Sequence, residues 1–159
     1  MNILETTVLS VAGIEDVHQI EPTVATRSPI FEMTQMAEDT VIRPKDCGSF
    51  SHKFRAWLAA RIAEQAGDAQ LALHYMETAG ITENSYQPKH ESVTNFEILI
   101  AFVDKAANST RDIESQDIVN LQGAGFADSD IVKLCQLLAF VAYQVRVVAG
   151  LRMMNEIAP

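Results

Sequence analysis

His52, Arg55, Arg61, Glu64, Asp68 and His74 cluster in one short stretch of chain and are the residues best suited to chemistry. Histidine transfers protons near neutral pH, and a carboxylate neighbour can orient it. Arginine can hold a substrate carboxylate through paired hydrogen bonds. Arginine and histidine on helices usually face water, and His52 and Arg55 are read that way. His18, His52, His74 and His90 fall in separate elements without HxxxH or HExxH spacing, so no metal site is predicted. No glycine-rich phosphate loop is present, and Gly123-Ala124-Gly125 reads as a helix stop. Met33, Met36, Met76, Met153 and Met154 read as core filler.

Cys47 and Cys135 have neither CxxC nor zinc-type spacing and read as two reduced thiols. A disulfide between them would need the fold to bring them together. A redox role for either alone would need an exposed, reactive thiol. Tyr143, Gln144 and Arg146 interrupt the apolar run Ile131 to Leu151. Buried polar groups need partners, so structural pairing is predicted, with Arg146 as the paired buried charge.

These side chains must be positioned by helices. Apolar residues recur at helical spacing, and period-2 alternation is not sustained. The 159 residues fit one domain, and at this size roughly 70% of the unfolded surface can be buried. A net charge of −9 argues against a nucleic acid partner, which clustered Lys and Arg would serve. No secretory signal is visible at the start, and the Ile131 to Leu151 run carries too many polar residues for a good membrane span. A buried helix in a cytoplasmic protein is expected instead.

A short helix is predicted over Glu5 to Ala12. A second starts at Ser28-Pro29, with the hydroxyl as cap, and presents Ile30, Phe31, Met33 and Ala37 as its apolar side until Ile42-Arg43-Pro44 ends it. Ser51 can cap a third, with Phe54, Leu58 and Ile62 four apart and Trp57 beside them. Gly67 closes it, and Asp68 can cap a fourth lined by Leu71, Ala72 and Tyr75 up to Gly80. Ile81 to Ser92 reads as an exposed loop. Helices follow over Thr94 to Ala107 and Glu114 to Gln122. A last helix, capped by Asp128 and apolar nearly all round, covers Asp130 to Met153 and should lie centrally or at a subunit contact. The expectation is all-α, six or seven helices.

Two segments carry a family resemblance. One is FRAWLAARIAEQAGDAQLALHYMETAG, Phe54 to Gly80. The other runs from Asp117 to Met154, with L-x-x-A-G-F-x-D-x-x-I and a long helix ending QVRVVAGLR. Together they resemble the carboxymuconolactone decarboxylase and alkylhydroperoxidase D (AhpD-like) family. The resemblance implies an AhpD-like core over 51–159 with a helical extension over 1–50. The family's peroxidases carry Cys-x-x-Cys-x-x-x-His at the helix break, with a glutamate twelve residues before the first cysteine. Here Ala56 stands at the glutamate, Asp68 and Leu71 at the cysteines, and Tyr75 at the histidine, with His74 one residue off. A carboxylate cannot replace a thiolate that attacks peroxide, so thiol peroxidase activity is not expected.

The resemblance also implies a homo-oligomer, with trimer or hexamer foremost, and no cofactor. It points to His74, Asp68 and Tyr75 as candidate catalytic residues and suggests acid–base chemistry on a small organic acid, with Arg61 and Arg146 as candidate binding residues. Two alternatives stay open. One is a non-enzymatic oligomeric or ligand-binding protein, with Asp68 a cap and Leu71 and Tyr75 in a dry core. The other is an alkylhydroperoxidase-like antioxidant protein. A solvent-open pocket containing His74 would favour the enzyme.

Overall fold

A computed structural model describes residues 2–16, 26–82 and 93–157. Over these residues the chain is all-α. Seven α-helices follow in order: α1 (Thr7–Val11), α2 (Ser28–Ile42), α3 (His52–Gln65), α4 (Ala69–Thr78), α5 (Val93–Asn108), α6 (Ser115–Gly123) and α7 (Asp128–Ile157). Short 3-10 turns occupy Ile3–Glu5 and Thr110–Asp112. Most of the predicted Ile14 to Arg27 and Ile81 to Ser92 connections lie outside the described residues.

α3 is the central element. Phe54, Leu58 and Ile62 are buried as the spacing predicts, and so are Ala56, Ala59, Ala60 and Ala63 on the remaining sides. Small side chains let neighbouring helices approach closely. This corrects the surface reading of Arg55, which is 2% exposed. The solvent side of α3 runs through Lys53, Trp57, Arg61 and Glu64, and Arg55 points away from it into the fold. Arg55 donates from Nε to the Phe50 carbonyl (2.9 Å), from Nη2 to that of Cys47 (2.9 Å) and from Nη1 to that of Val41 (3.2 Å). It fastens the α2–α3 connection to the core. Gly48 in that connection has φ +55°, and a Cβ there would sit 2.1 Å from Asp130 Oδ1, so glycine is required.

The helix ends follow local signals, with two corrections. Ser51 Oγ caps α3 by accepting from Phe54 N (3.2 Å). α2 begins one residue earlier than expected: Arg27 holds the cap position without a side-chain bond, and Ser28 and Pro29 both fall in the first turn. Proline is tolerated there because first-turn N–H groups have no intrahelical acceptor. α7 begins at Asp128 itself. The Ala127 carbonyl accepts the first bonds, from Asp130 and Ile131, and Asp128 Oδ1 accepts instead from Gln122 (2.8 Å).

The inner face of α2 is the main departure. Phe31, Thr34, Glu38 and Ile42 point inward, whereas Ile30, Met33, Met36 and Ala37 are exposed. The helix therefore turns a mixed polar and apolar face to the core and an apolar face outward. α7 is likewise two-sided rather than buried all round. Leu134, Leu137, Val141, Gln144, Val148 and Leu151 face in, while Val132, Tyr143, Met153 and Met154 are exposed. It is long and apolar enough to cross a membrane by length and composition, a test that core helices also pass.

Two apolar clusters result. The larger joins α3, α4, α5 and α7. The smaller gathers Val8, Leu9, Ala12 and Ile14 from the α1 segment with Phe31, Val148 and Leu151.

Candidate functional site

α1, α2, α4 and α7 meet at the carboxyl group of Glu38, which is 2% exposed. Both its oxygens are bonded. Thr7 Oγ1 of α1 donates to Oε1 at 3.0 Å, and Gln144 Nε2 of α7 donates to Oε2 at 2.6 Å. The carbonyl oxygen of Gln144 accepts from the hydroxyl of Tyr75 on α4. On the other side, Thr7 Oγ1 lies 3.2 Å from Nε2 of His74, the residue before Tyr75 on α4. The backbone N–H of Thr7 is held by Gln35 Oε1 at 2.8 Å. Thr7, Gln144 and Tyr75 are buried and His74 is half-buried, so the network runs from a partly accessible imidazole to a sealed carboxyl.

Burial sets the protonation of this network. It raises the Glu38 pKa above its ordinary 4.5, against the lowering effect of the Thr7 and Gln144 bonds and the Arg43 charge. It lowers that of His74 below 6.5, and Arg43 adds to the shift. Desolvation pushes Tyr75 well above 10, so its hydroxyl keeps the proton it donates. Both shifts in the Glu38–His74 pair favour the neutral forms. The Thr7 hydroxyl can serve either state. It donates to a Glu38 carboxylate while accepting from an imidazolium, or accepts from a Glu38 carboxyl while donating to neutral Nε2. Flipping that one O–H moves a proton between His74 and Glu38.

The break at Gly67-Asp68 is built for something else. Gly67 takes φ +85°. Asp68 Oδ1 caps α4 through Leu71 N (3.1 Å), and Arg152 of α7 grips both carboxylate oxygens (2.9 and 3.0 Å). Arg152 also donates to the Val11 carbonyl at the end of α1 (3.2 Å). Asp68 is thus a cap and an ion-pair partner, and Leu71 is packed in the core. Arg152 was not singled out from sequence.

The remaining candidates are dispersed. Arg61 is engaged by Asp104 through Nε (2.8 Å) and Nη2 (2.6 Å), beside a cavity of about 690 Å³ between α3 and α4. Arg146 is exposed and donates to the Ala142 carbonyl one turn back, which corrects its reading as a buried charge. Residues two apart point to different sides of a helix, and because α7 is two-sided with Gln144 turned in, Arg146 falls on the outer side. Of the candidates, only His74 and Tyr75 join the network. Glu38, Thr7 and Gln144 complete it.

Among the described residues His74 lines none of four surface cavities, which involve α3–α4, two stretches of α2–α7, and the α2, α3 and α4 ends near Arg43. Cys47 and Cys135 are both free thiols, and burial raises the Cys135 pKa. Among the described residues no group of three or more His, Cys, Asp or Glu is placed to hold a metal ion. No protein-family model, curated protein or solved structure matches the chain.

Proposed function

We propose that this chain is an AhpD-like helical protein without thiol chemistry, whose proton-handling site lies at Glu38–Thr7–His74 instead of at the helix break. The observation that carries this reading is the buried Glu38 carboxyl joined to His74 through one hydroxyl. A carboxyl in an apolar core costs stability that a leucine would not, and perturbed acid–base pairs cluster at functional sites. The reaction class is acid–base chemistry on a small organic acid. Glu38 accepts the proton and His74 Nε2–H stabilises the oxygen that loses it. The test is turnover on a panel of small carboxylated lactones and hydroxy acids. Activity lost in His74→Asn and Glu38→Gln but kept in Asp68→Asn supports the reading. Activity abolished by Asp68→Asn in a folded protein, with His74→Asn unaffected, contradicts it.

The non-enzymatic reading is favoured by separate observations: His74 lines none of the described cavities, whereas a solvent-open pocket around it would have favoured the enzyme. Leu71 and Tyr75 are sealed in the core, and Asp68 serves as a cap. Under it the network is a packing device and no substrate turns over. Homo-oligomerisation is proposed for either case. It is supported by the outward apolar face of Ile30, Met33 and Met36 on α2 beside Tyr143 on α7.

A further inference from the structure

We propose that α1 is a displaceable lid and that Thr7 is an internal occupant of a hydroxyl-binding site: when α1 lifts, a small hydroxylated ligand takes the place of the Thr7 hydroxyl between Glu38 and His74. The inference rests on the acid–base reading above and adds what the site takes and how it opens.

The Thr7 oxygen sits 3.0 Å from a carboxylate oxygen and 3.2 Å from an imidazole nitrogen. That is where an acid–base pair would hold a reacting hydroxyl. The other walls come from α2, α4 and α7, so Glu38, Gln144, Tyr75 and His74 stay in place without α1. Tyr75 belongs to the main core, whereas Val8, Leu9 and Ala12 of the α1 segment pack in the smaller cluster and Val11 touches both. Five residues of helix cannot hold themselves together, so α1 persists only by docking. Its docking is partly polar: the Thr7 N–H to Gln35 at one end and the Val11 carbonyl to Arg152 at the other. Water or a ligand can replace such bonds at small net cost. With α1 raised, the four polar side chains line an open recess. Ligand hydroxyl donates to Glu38 Oε1 and accepts from His74 Nε2–H. Gln144 keeps Oε2 and the Tyr75 hydroxyl occupied, so what the recess asks of a ligand is a hydroxyl. A small hydroxy acid meets that demand.

Hydrogen exchange on the unaltered chain tests the lid. The Ser10 and Ala12 amides, bonded to the Thr6 and Val8 carbonyls, should exchange through local opening while Leu58 to Ile62 in α3 stay protected. Exchange of α1 only at the global unfolding rate overturns the proposal. The ligand arm uses glycolate, with acetate as the probe lacking the hydroxyl, followed through the His74 ring resonances. Leu9→Ala, which loosens α1 without touching the site, should bind glycolate about tenfold more tightly than wild type, because the competent fraction rises. Acetate should bind more weakly than glycolate to both. Equal binding of the two probes, or no gain in Leu9→Ala, overturns it. Local opening with glycolate binding but no turnover in the substrate panel sinks the acid–base reading and leaves the lid standing.

Discussion

A carboxyl group at 2% exposure is costly unless its oxygens are bonded, and both oxygens of Glu38 are. The site raises its pKa, so folding favours the protonated form. That stabilisation is full below 4.5 and is lost as pH rises through the raised value. His74 runs the other way: its contribution is present above 6.5 and is lost as pH falls through its lowered value. Glu38→Gln is neutral at every pH, so wild type should lose stability relative to that variant as pH rises above 4.5. Urea titrations at stepped pH measure this, and a gap independent of pH contradicts it. Arg55 makes a second prediction. Arg55→Met removes donors from three carbonyls in or beside the core and should cost about 3 kcal/mol, read from the same titrations. Neither residue was legible as buried. Hydrophobic spacing assigns charged residues to the surface, and only tertiary partners reveal that these two are satisfied inside. His74 and Tyr75 were candidates only through the family resemblance, since no local signal marks two residues in the middle of α4.

Local signals fixed the α3–α4 unit. Gly67 ends one helix, Asp68 starts the next, and each signal acts within a few residues. The inner face of α2 was not legible, because it mixes Phe31 and Ile42 with Thr34 and Glu38 while Ile30, Met33 and Met36 form the more apolar side. Hydrogen bonding, not hydrophobicity, decides which side turns in. At the break, Asp68→Ala removes a cap and strands Arg152. It should cost about 2 kcal/mol, whereas Asp68→Asn, which keeps an acceptor for Leu71 N, should cost less. Thermal denaturation of the two variants ranks them; equal losses would mean that the cap bond contributes nothing. The ion pair between Asp68 and Arg152 also ties α4 to α7 and, through the Val11 carbonyl, to α1.

Across the whole molecule the all-α architecture was legible from period alone, and the arrangement of the helices was not. Four helices converge on Glu38 from positions as far apart as Thr7 and Gln144, and nothing local encodes that meeting. The thiols take no part in it. Labelling of native Cys47 and Cys135 should be slow at neutral pH, and peroxide consumption with a dithiol reductant should match that of a cysteine-free variant. Fast labelling of Cys135 with cysteine-dependent turnover would restore the antioxidant alternative. Met36→Glu should lower the assembled mass in sedimentation if the outward α2 face joins subunits. The central claim is that Glu38 and His74 share a proton through Thr7, and its most direct measurement is a carbon-13 titration of the Glu38 carboxyl and His74 ring in wild type and Thr7→Val. Glu38 should titrate above 4.5 and His74 below 6.5 in wild type, and loss of the Thr7 donor, which favours the carboxylate, should move Glu38 higher still. A Glu38 midpoint at or below 4.5 that Thr7→Val leaves unmoved would contradict it.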